Sequence, residues 1–246
     1  MISRTAILAS AVVSACLSAP VPARSRKVMV EPGVAIQVLD EGRGSASRPA
    51  LVLIPGWRLP ATIWARQIAR FSKDRRVIAI DSRSQGESSK VAEGNTPDRR
   101  AQDLRTVLER LQVRRAVIVG WSQGVQDVAA YVNRYGTADV AGLVLIDSTI
   151  SAGAEPATTG PAAAVRTLQT VRSYNDDPQA LTRGMLGAII TKPMTARETD
   201  ALVEQMLKIP VTIGSAMLVA DMLGTDRSSV IERFDRPTLI IASSHS

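Results

Sequence analysis

Four short apolar runs, separated by segments of helical character, constrain the fold of this chain more than any other feature. Each run has four residues and is bounded by polar or turn-forming residues, which is typical of a strand covered on both faces of a parallel sheet. The runs are Leu51–Ile54, Val77–Ile80, Ala116–Val119 and Leu143–Ile146. Strands that alternate with helices predict an α/β fold: a mainly parallel, doubly wound sheet with helices on both faces and right-handed crossovers.

The segments around these runs carry further signals of secondary structure. A strand is predicted over Ala35–Leu39, and a rough apolar stripe predicts a helix over Thr62–Ser72. Thr96 followed by Pro97 is a helix start, because a hydroxyl caps the first amides and proline suits the first helical position. A third helix is predicted to end at Tyr135, before a glycine.

The chain changes character after the fourth run. Residues 150–236 have helical periodicity and little strand signal, with helices predicted over Ala162–Ser173, Asp177–Ile190 and Thr195–Leu207. Buried-strand character returns at Thr238–Ile241. A helical insertion between two parallel strands must lie over their carboxyl edge, so it is predicted to be a lid. The predicted division is a core over 24–149, a lid over 150–236 and a last core strand over 237–246.

Five methionines of the predicted lid allow two interpretations. They could line an adaptable apolar pocket for small or medium acyl groups, or they could simply fill the core between lid helices, which we favour. They are Met185, Met194, Met206, Met217 and Met222.

The pattern Gly120-x-Ser122-x-Gly124 is the strongest chemical signal, since a predicted strand precedes it and a predicted helix follows it. A tight strand-to-helix turn would lift the serine hydroxyl above the sheet edge, and glycines would allow strand and helix to approach closely. The helix N-terminus would place the backbone N–H of Gln123 where it can stabilise an oxyanion. The alternative interpretation is a plain strand–turn–helix of a Rossmann-like sheet.

Three segments together resemble the α/β-hydrolase superfamily. They are Pro55-Gly56-Trp57, the stretch Asp81–Ser88 and the pattern around Ser122, and the resemblance runs from about Val28 to Ser244. It implies that Ser122 is the nucleophile and that the backbone amides of Trp57 and Gln123 form the oxyanion hole. It implies no metal and no organic cofactor.

The sequence departs from that family in two motifs. Pro55 stands where the oxyanion loop usually has a histidine, although the amide of Trp57 can still donate. Ser84 stands where the second motif usually has a glycine.

The acid and the base of a serine triad are the weak points of the resemblance. Asp147, at the end of the fourth run, is the candidate orienting acid, or else an aspartate that caps the next turn. The single histidine, His245, does not occupy the family's histidine position, which follows one more helix and strand. We therefore expect the last helix–strand–helix of the fold to be missing, through truncation or in a degenerate member, and little hydrolytic activity.

The predicted function is hydrolysis of a small ester or related acyl substrate. The alternatives are a C–C hydrolase or cofactor-free peroxidase of the same fold, and a non-catalytic binding protein that kept the fold. A dehalogenase is disfavoured, because that chemistry uses an aspartate where Ser122 stands. The sequence has no cluster of metal ligands and no glycine-rich phosphate loop.

The N-terminus and the composition bear on location and partners. Arg4 and the apolar stretch Ala6–Val13 predict a signal peptide over 1–23 and export to the periplasm or outside the cell. Cleavage after Ala23 competes with a lipoprotein box that ends at Cys16, which would carry a lipid anchor. The net charge of +7 is spread along the chain and aromatics make up only 3%, which argues against a nucleic-acid partner. The resemblance to the hydrolase superfamily implies a small-molecule substrate.

Overall fold

The computed structural model describes residues 24–45, 47–151, 161–190 and 194–243. The predicted signal peptide, with its Cys16, and His245 lie outside the described residues.

The described residues form one seven-stranded sheet in the order β1-β2-β4-β3-β5-β6-β7. Strands β3 to β7 run parallel, and β1 and β2 add an antiparallel pair at one end, so the predicted mainly parallel sheet is confirmed. The strands are β1 (Arg24–Glu31), β2 (Val34–Glu41), β3 (Ala50–Ile54), β4 (Val77–Ile80), β5 (Ala116–Trp121), β6 (Val140–Ile146) and β7 (Thr238–Ile241).

Helices cover both faces of this sheet. Alternate residues of each strand point to opposite sides, so each face contributes its own apolar side chains to a core. On one face, Val52 and its neighbours pack against the helices α2 (Pro97–Arg110) and α3 (Gln123–Tyr135). On the other face, Leu53 belongs to a second core, which includes a 3₁₀ turn and the helix α1 (Ala65–Phe71). The doubly wound arrangement follows from these two separate cores.

Four further helices and a 3₁₀ turn lie between β6 and β7 in the described chain, and we call this segment the insertion (161–190 and 194–233). The helices are α4 (Pro161–Asp176), α5 (Pro178–Ile189), α6 (Ala196–Leu207) and α7 (Val211–Met222), and the 3₁₀ turn is Ser228–Arg233. The insertion contacts loops at the carboxyl ends of β3, β4 and β5, through Trp57, Glu87 and Gln123. Helices α5 and α6 also join the second core.

The predicted helix starts are confirmed by their caps. The hydroxyl of Thr96 accepts the N–H of Arg99 at 3.3 Å, and Thr195 forms a reciprocal capping box with Glu198 at the start of α6. Helix α3 ends at Gly136, whose φ is 67°.

Several predictions of secondary structure were incomplete. Strand β1 was missed because its first residues are polar and exposed. Helix α7 was missed because an apolar sequence on all sides gives no periodic signal. The helix predicted over Thr62–Ser72 is a 3₁₀ turn (Ala61–Trp64) followed by α1.

Strand β7 exists as predicted, but its buried character does not. Leu239 is 50% exposed and Ile240 is 69% exposed, because β7 pairs only with β6 among the described residues and forms the end of the sheet.

Among the described residues, no single helix is both long and apolar enough to cross a membrane, although the bent pair α6 and α7 meets those criteria jointly.

Candidate active site

Ser122 lies in a strained turn between β5 and α3. Its backbone has φ 52° and ψ −122°, a left-handed conformation that is costly for a residue with a side chain. The N–H of Ser122 donates to the carbonyl of Ile146 at 2.9 Å, which fixes the turn to the end of β6. The side chain is half-buried, at the carboxyl edge of the sheet, so the predicted position of this hydroxyl agrees with the structure.

The two glycines of the motif are required by close backbone contacts. A Cβ on Gly120 would lie 2.4 Å from the carbonyl oxygen of Gly124, and a Cβ on Gly124 would lie 2.6 Å from the carbonyl oxygen of Ile54. Both distances are far inside van der Waals contact with backbone that cannot move away. The glycines therefore allow α3 to begin directly behind β5 and β3.

The loop after β3 lies directly against the nucleophile candidate. A Cβ on Gly56 would be 3.1 Å from Ser122 Cβ and 3.5 Å from its Oγ. The backbone N–H groups of Trp57 and Gln123 have no acceptor among the described residues, as expected for the first amide of a helix and for an open loop. Both predicted donors are therefore free, and their role in stabilising an oxyanion stays a prediction.

Trp57 and Arg58 connect this loop to three helices of the insertion. The indole Nε1 of Trp57 donates to the carbonyl of Gly214 on α7 at 3.0 Å. The indole also meets the ring of Tyr174 on α4 edge-on, at 5.4 Å between centroids. Arg58 Nη1 donates to Thr182 Oγ1 on α5 at 2.8 Å. The insertion thus holds the loop that carries Trp57, one of the two predicted oxyanion donors.

The side chain of Gln123 connects the start of α3 to the insertion. Its amide Nε2 donates to Asp221 on α7, and its Oε1 accepts from Gln85 Nε2 at 3.1 Å. Gln123, Gln85 and Asp221 are all buried. Because these contacts fix the first residue of α3, they also fix the direction of its backbone N–H.

Asp221 belongs to a buried cluster of ionisable side chains. Arg100 on α2 contacts Asp221 Oδ1 at 2.6 Å through Nη2 and Asp127 Oδ1 on α3 at 2.8 Å through Nε. Burial raises the pKa of Asp127 to about 7, although the nearby Arg100 guanidinium opposes the shift. Burial likewise raises the pKa of Asp221, against the charge of Arg100.

Sequence reasoning missed this cluster, since Arg100 and Asp221 are 121 positions apart. One signal was present: Arg100 lies four and eight residues before Leu104 and Leu108, on the apolar face of α2. A charged residue on a buried face needs a partner, but the sequence does not identify which one.

The second motif of the predicted family holds its own loop together. The carboxylate of Asp81 accepts the N–H of Ala61 at 2.5 Å and the N–H of Glu87 at 2.7 Å. Burial raises the pKa of Asp81 to about 6, and these two hydrogen bonds oppose the rise. Ser84, at the usual glycine position, has φ 62°, and its hydroxyl bonds both the N–H and the carbonyl of Val91 at 3.1 Å.

Asp147 follows β6, on the strand next to that of Ser122. Its side chain is exposed, and Oδ1 accepts the N–H of Ser243 at 3.1 Å, while its own N–H donates to the carbonyl of Ile241 at 2.8 Å. These contacts fasten the end of β7, so the structure shows Asp147 in a capping contact. Its role as an orienting acid stays a prediction.

Four of the five methionines pack in apolar clusters of the insertion. Met206 is buried in the second core with Met185 and Met194 around it, and Met217 packs with Ile209 and Ile213 against Trp57. Met217 therefore belongs to the cluster that contacts the loop after β3. Within the described ranges, no group of three or more His, Cys, Asp or Glu side chains could hold a metal ion.

A family model described as "Alpha/beta hydrolase family" matches residues 51–245, which is most of the chain. The chain belongs to the alpha/beta hydrolase family. This family assignment agrees with the strained serine turn, the paired free amides and the parallel sheet.

Individual relatives cover less of the sequence. The chain is 39% identical over 122 residues to the bifunctional esterase/perhydrolase of Acinetobacter calcoaceticus, a match over 49% of this chain and 44% of that protein. It is 38% identical over 120 residues to the non-heme haloperoxidase of Rhodococcus erythropolis, over 48% and 42% of the two chains. The aligned region thus spans less than half the length of either relative.

The fold matches solved structures over a longer range. The bromoperoxidase of Bacillus anthracis superposes with a TM-score of 0.76 at 23% identity, covering 88% of this chain and 80% of that one. At this identity the match supports the alpha/beta hydrolase fold alone.

Proposed function

We propose that this alpha/beta hydrolase family member is a serine hydrolase of small esters or related acyl compounds. The observation that carries the proposal is the left-handed turn at Ser122, with the free amides of Trp57 and Gln123 beside it. A strained serine with φ 52° at a sheet edge is costly to fold and is typical of a nucleophile.

The reaction would proceed in two halves. Ser122 Oγ attacks the acyl carbonyl carbon while a base takes the hydroxyl proton, and the N–H groups of Trp57 and Gln123 stabilise the oxyanion. Collapse releases the alcohol with that proton and leaves an acyl group on Ser122. Water then attacks the acyl carbon and releases the carboxylic acid.

The general base is the unassigned part of this mechanism. The sequence holds one histidine, His245, which lies outside the described residues. Asp147 is the proposed orienting acid, from the strand adjacent to β5. Because a serine hydroxyl needs a base near neutral pH, we expect slow turnover by this chain.

The test uses the purified 246-residue chain, p-nitrophenyl acetate and a fluorophosphonate probe. We expect slow release of p-nitrophenol that Ser122→Ala removes and His245→Ala leaves unchanged. Identical release by the wild type and Ser122→Ala would contradict the proposal. Full turnover that His245→Ala abolishes would overturn the expectation about the base and retain the nucleophile.

Perhydrolysis is a second candidate, because the two curated relatives are named a bifunctional esterase/perhydrolase and a non-heme haloperoxidase. In this reaction hydrogen peroxide, instead of water, attacks the acyl carbon on Ser122 and releases a peracid. We expect the chain to form peracetic acid from p-nitrophenyl acetate and hydrogen peroxide, measured by iodide oxidation. Release of acetate alone at all peroxide concentrations would exclude this reaction.

A further inference from the structure

Arg58 is a fully buried cation with an unpaired edge. Its exposure is 0%, and within the described part of the chain its Nε and Nη2 atoms have no hydrogen-bond partner. Nη1 donates to the hydroxyl of Thr182 on α5. No carboxylate of the described chain forms an ion pair with it.

Two aromatic rings that meet edge-on lie against the guanidinium. Its central carbon lies 4.3 Å from the ring centre of Trp57 and 4.3 Å from that of Tyr174. These cation–π contacts partly compensate for lost hydration, but burial still lowers the pKa of Arg58 from its ordinary value, and the nearby Tyr174 opposes this only in part.

The position of Arg58 is costly in a second way. Its backbone has φ 62°, a left-handed conformation that residues with side chains rarely adopt. A residue that is strained, buried and unpaired at once is typical of a ligand-binding position, where the ligand supplies the missing interaction.

The geometry of the unpaired edge determines which ligand suits it. In a guanidinium, the N–H groups of Nε and Nη2 are parallel and lie on one side, at the spacing of the two oxygens of a carboxylate. Thr182 takes Nη1, on the other side, and so leaves this pair free. A carboxylate would satisfy both donors and neutralise the buried charge.

Arg58 belongs to the loop that packs against the proposed nucleophile. Arg58 follows Trp57 directly and is two residues after Gly56, which packs against Ser122. We propose that Arg58 binds a carboxylate of the substrate, so that the preferred substrates are esters or acyl compounds that carry a second, free carboxylate. This inference rests on the proposed function, because it assigns the substrate class of the same site.

The occupied site requires movement of the insertion. The free edge is covered in the structure, with Tyr174 from α4 against the guanidinium and Gly214 packed so tightly that a Cβ there would lie 2.7 Å from the Tyr174 ring. The ligand therefore reaches Arg58 when the Tyr174 side chain and α4 shift.

The first experiment measures binding without turnover. The unfolding midpoint of the whole chain is recorded with glutarate and with its neutral diamide, glutaramide, at equal ionic strength. The proteins are the wild type, Arg58→Met, Arg58→Lys and the control Arg183→Met, which removes an exposed insertion arginine paired with Asp200.

We expect glutarate, and not glutaramide, to raise the midpoint of the wild type and of Arg183→Met. The shift should vanish in Arg58→Met, and Arg58→Lys should weaken apparent binding about tenfold, because a lysine keeps the charge and loses the paired donors. Without ligand, Arg58→Met should be at least as stable as the wild type, since an unpaired buried cation is removed.

Equal shifts by glutarate and glutaramide, or a wild-type glutarate shift in Arg58→Met, would overturn the proposal. If Arg58→Met does not fold, Arg58→Lys replaces it, and glutarate binding by Arg58→Lys as tight as that of the wild type would also overturn the proposal. A glutarate shift in a chain whose Ser122 shows no reactivity would retain the anion site and reject the serine hydrolase. Hydrolysis of neutral esters without any glutarate response would support the serine hydrolase and reject the carboxylate site at Arg58.

Discussion

At the residue scale, the conformation of Ser122 stores free energy that the fold must supply. A glycine can adopt φ 52° without steric cost, whereas alanine keeps the strain and lacks the hydroxyl. We expect Ser122→Gly to be about 1 kcal/mol more stable than Ser122→Ala, after allowing for the greater freedom of glycine in the unfolded chain. Urea unfolding of the two variants measures this difference. Equal midpoints would show that the turn is relaxed.

The motif glycines make a second residue-scale prediction. Gly120→Ala places a methyl group 2.4 Å from backbone and should destabilise the protein by at least about 3 kcal/mol or prevent folding. Gly184→Ala is the matched control: it lies in α5 with nothing within 4 Å of an added Cβ. That change should stabilise the chain by about 0.5–1 kcal/mol through helix propensity. Thermal unfolding distinguishes the two, and similar effects would contradict the close approach of β5 and α3.

At the element scale, helices α2, α3 and α7 meet through Arg100, Asp127 and Asp221. These three side chains are buried together next to Gln123, so the same contacts join the insertion to the start of α3. Removing one member would leave another charge buried without a partner.

The raised pKa of Asp127 makes this junction dependent on pH. Folding raises the pKa of this carboxyl from an ordinary 3.8 to about 7. Between these two values the folded protein holds a proton that the unfolded chain releases. Its contribution to the free energy of unfolding is therefore fully present below about pH 4 and is lost as the pH rises toward 7. Asp127→Asn should reduce the fall in stability between pH 5 and 7.5, measured by urea unfolding.

The control for this titration is Asp200→Asn, which changes an exposed carboxyl of the surface pair with Arg183. It should leave the pH dependence of the wild type unchanged. An unaltered pH profile in Asp127→Asn would mean that Asp127 stays ionised when buried. Asp81, whose pKa is raised to about 6, contributes a slope of the same sign in all three proteins.

At the scale of the whole molecule, the described part of the sheet ends at β7, whose apolar side chains are exposed. Strand β7 pairs with β6 on one side, and Leu239 and Ile240 are 50% and 69% exposed among the described residues. Exposed apolar edge strands associate with other chains, and a charge on such an edge prevents this. We expect Ile240→Lys to shift the chain toward monomer, measured by sedimentation velocity. Arg183→Lys, a conservative change on α5, should not.

Sequence patterns determined the elements of this protein whose signals are local. The four apolar runs are strands β3 to β6, Thr96 and Thr195 cap their helices, and Ser122 occupies the predicted strained turn. Each depends on residues within a few positions of one another, because strand burial, helix capping and tight turns are properties of a short segment.

Only the tertiary structure decided the contacts that join distant segments. Helix α7 has no periodicity, yet it supplies Asp221 to Arg100 and Gly214 to Trp57, and the buried Arg58 contacts the ring of Tyr174 on α4. A charge on an apolar helix face shows that a partner is needed, but packing selects which one. The sequence therefore determined the serine turn and its sheet, whereas tertiary packing decided what surrounds them, since burial brings together residues that no local pattern relates.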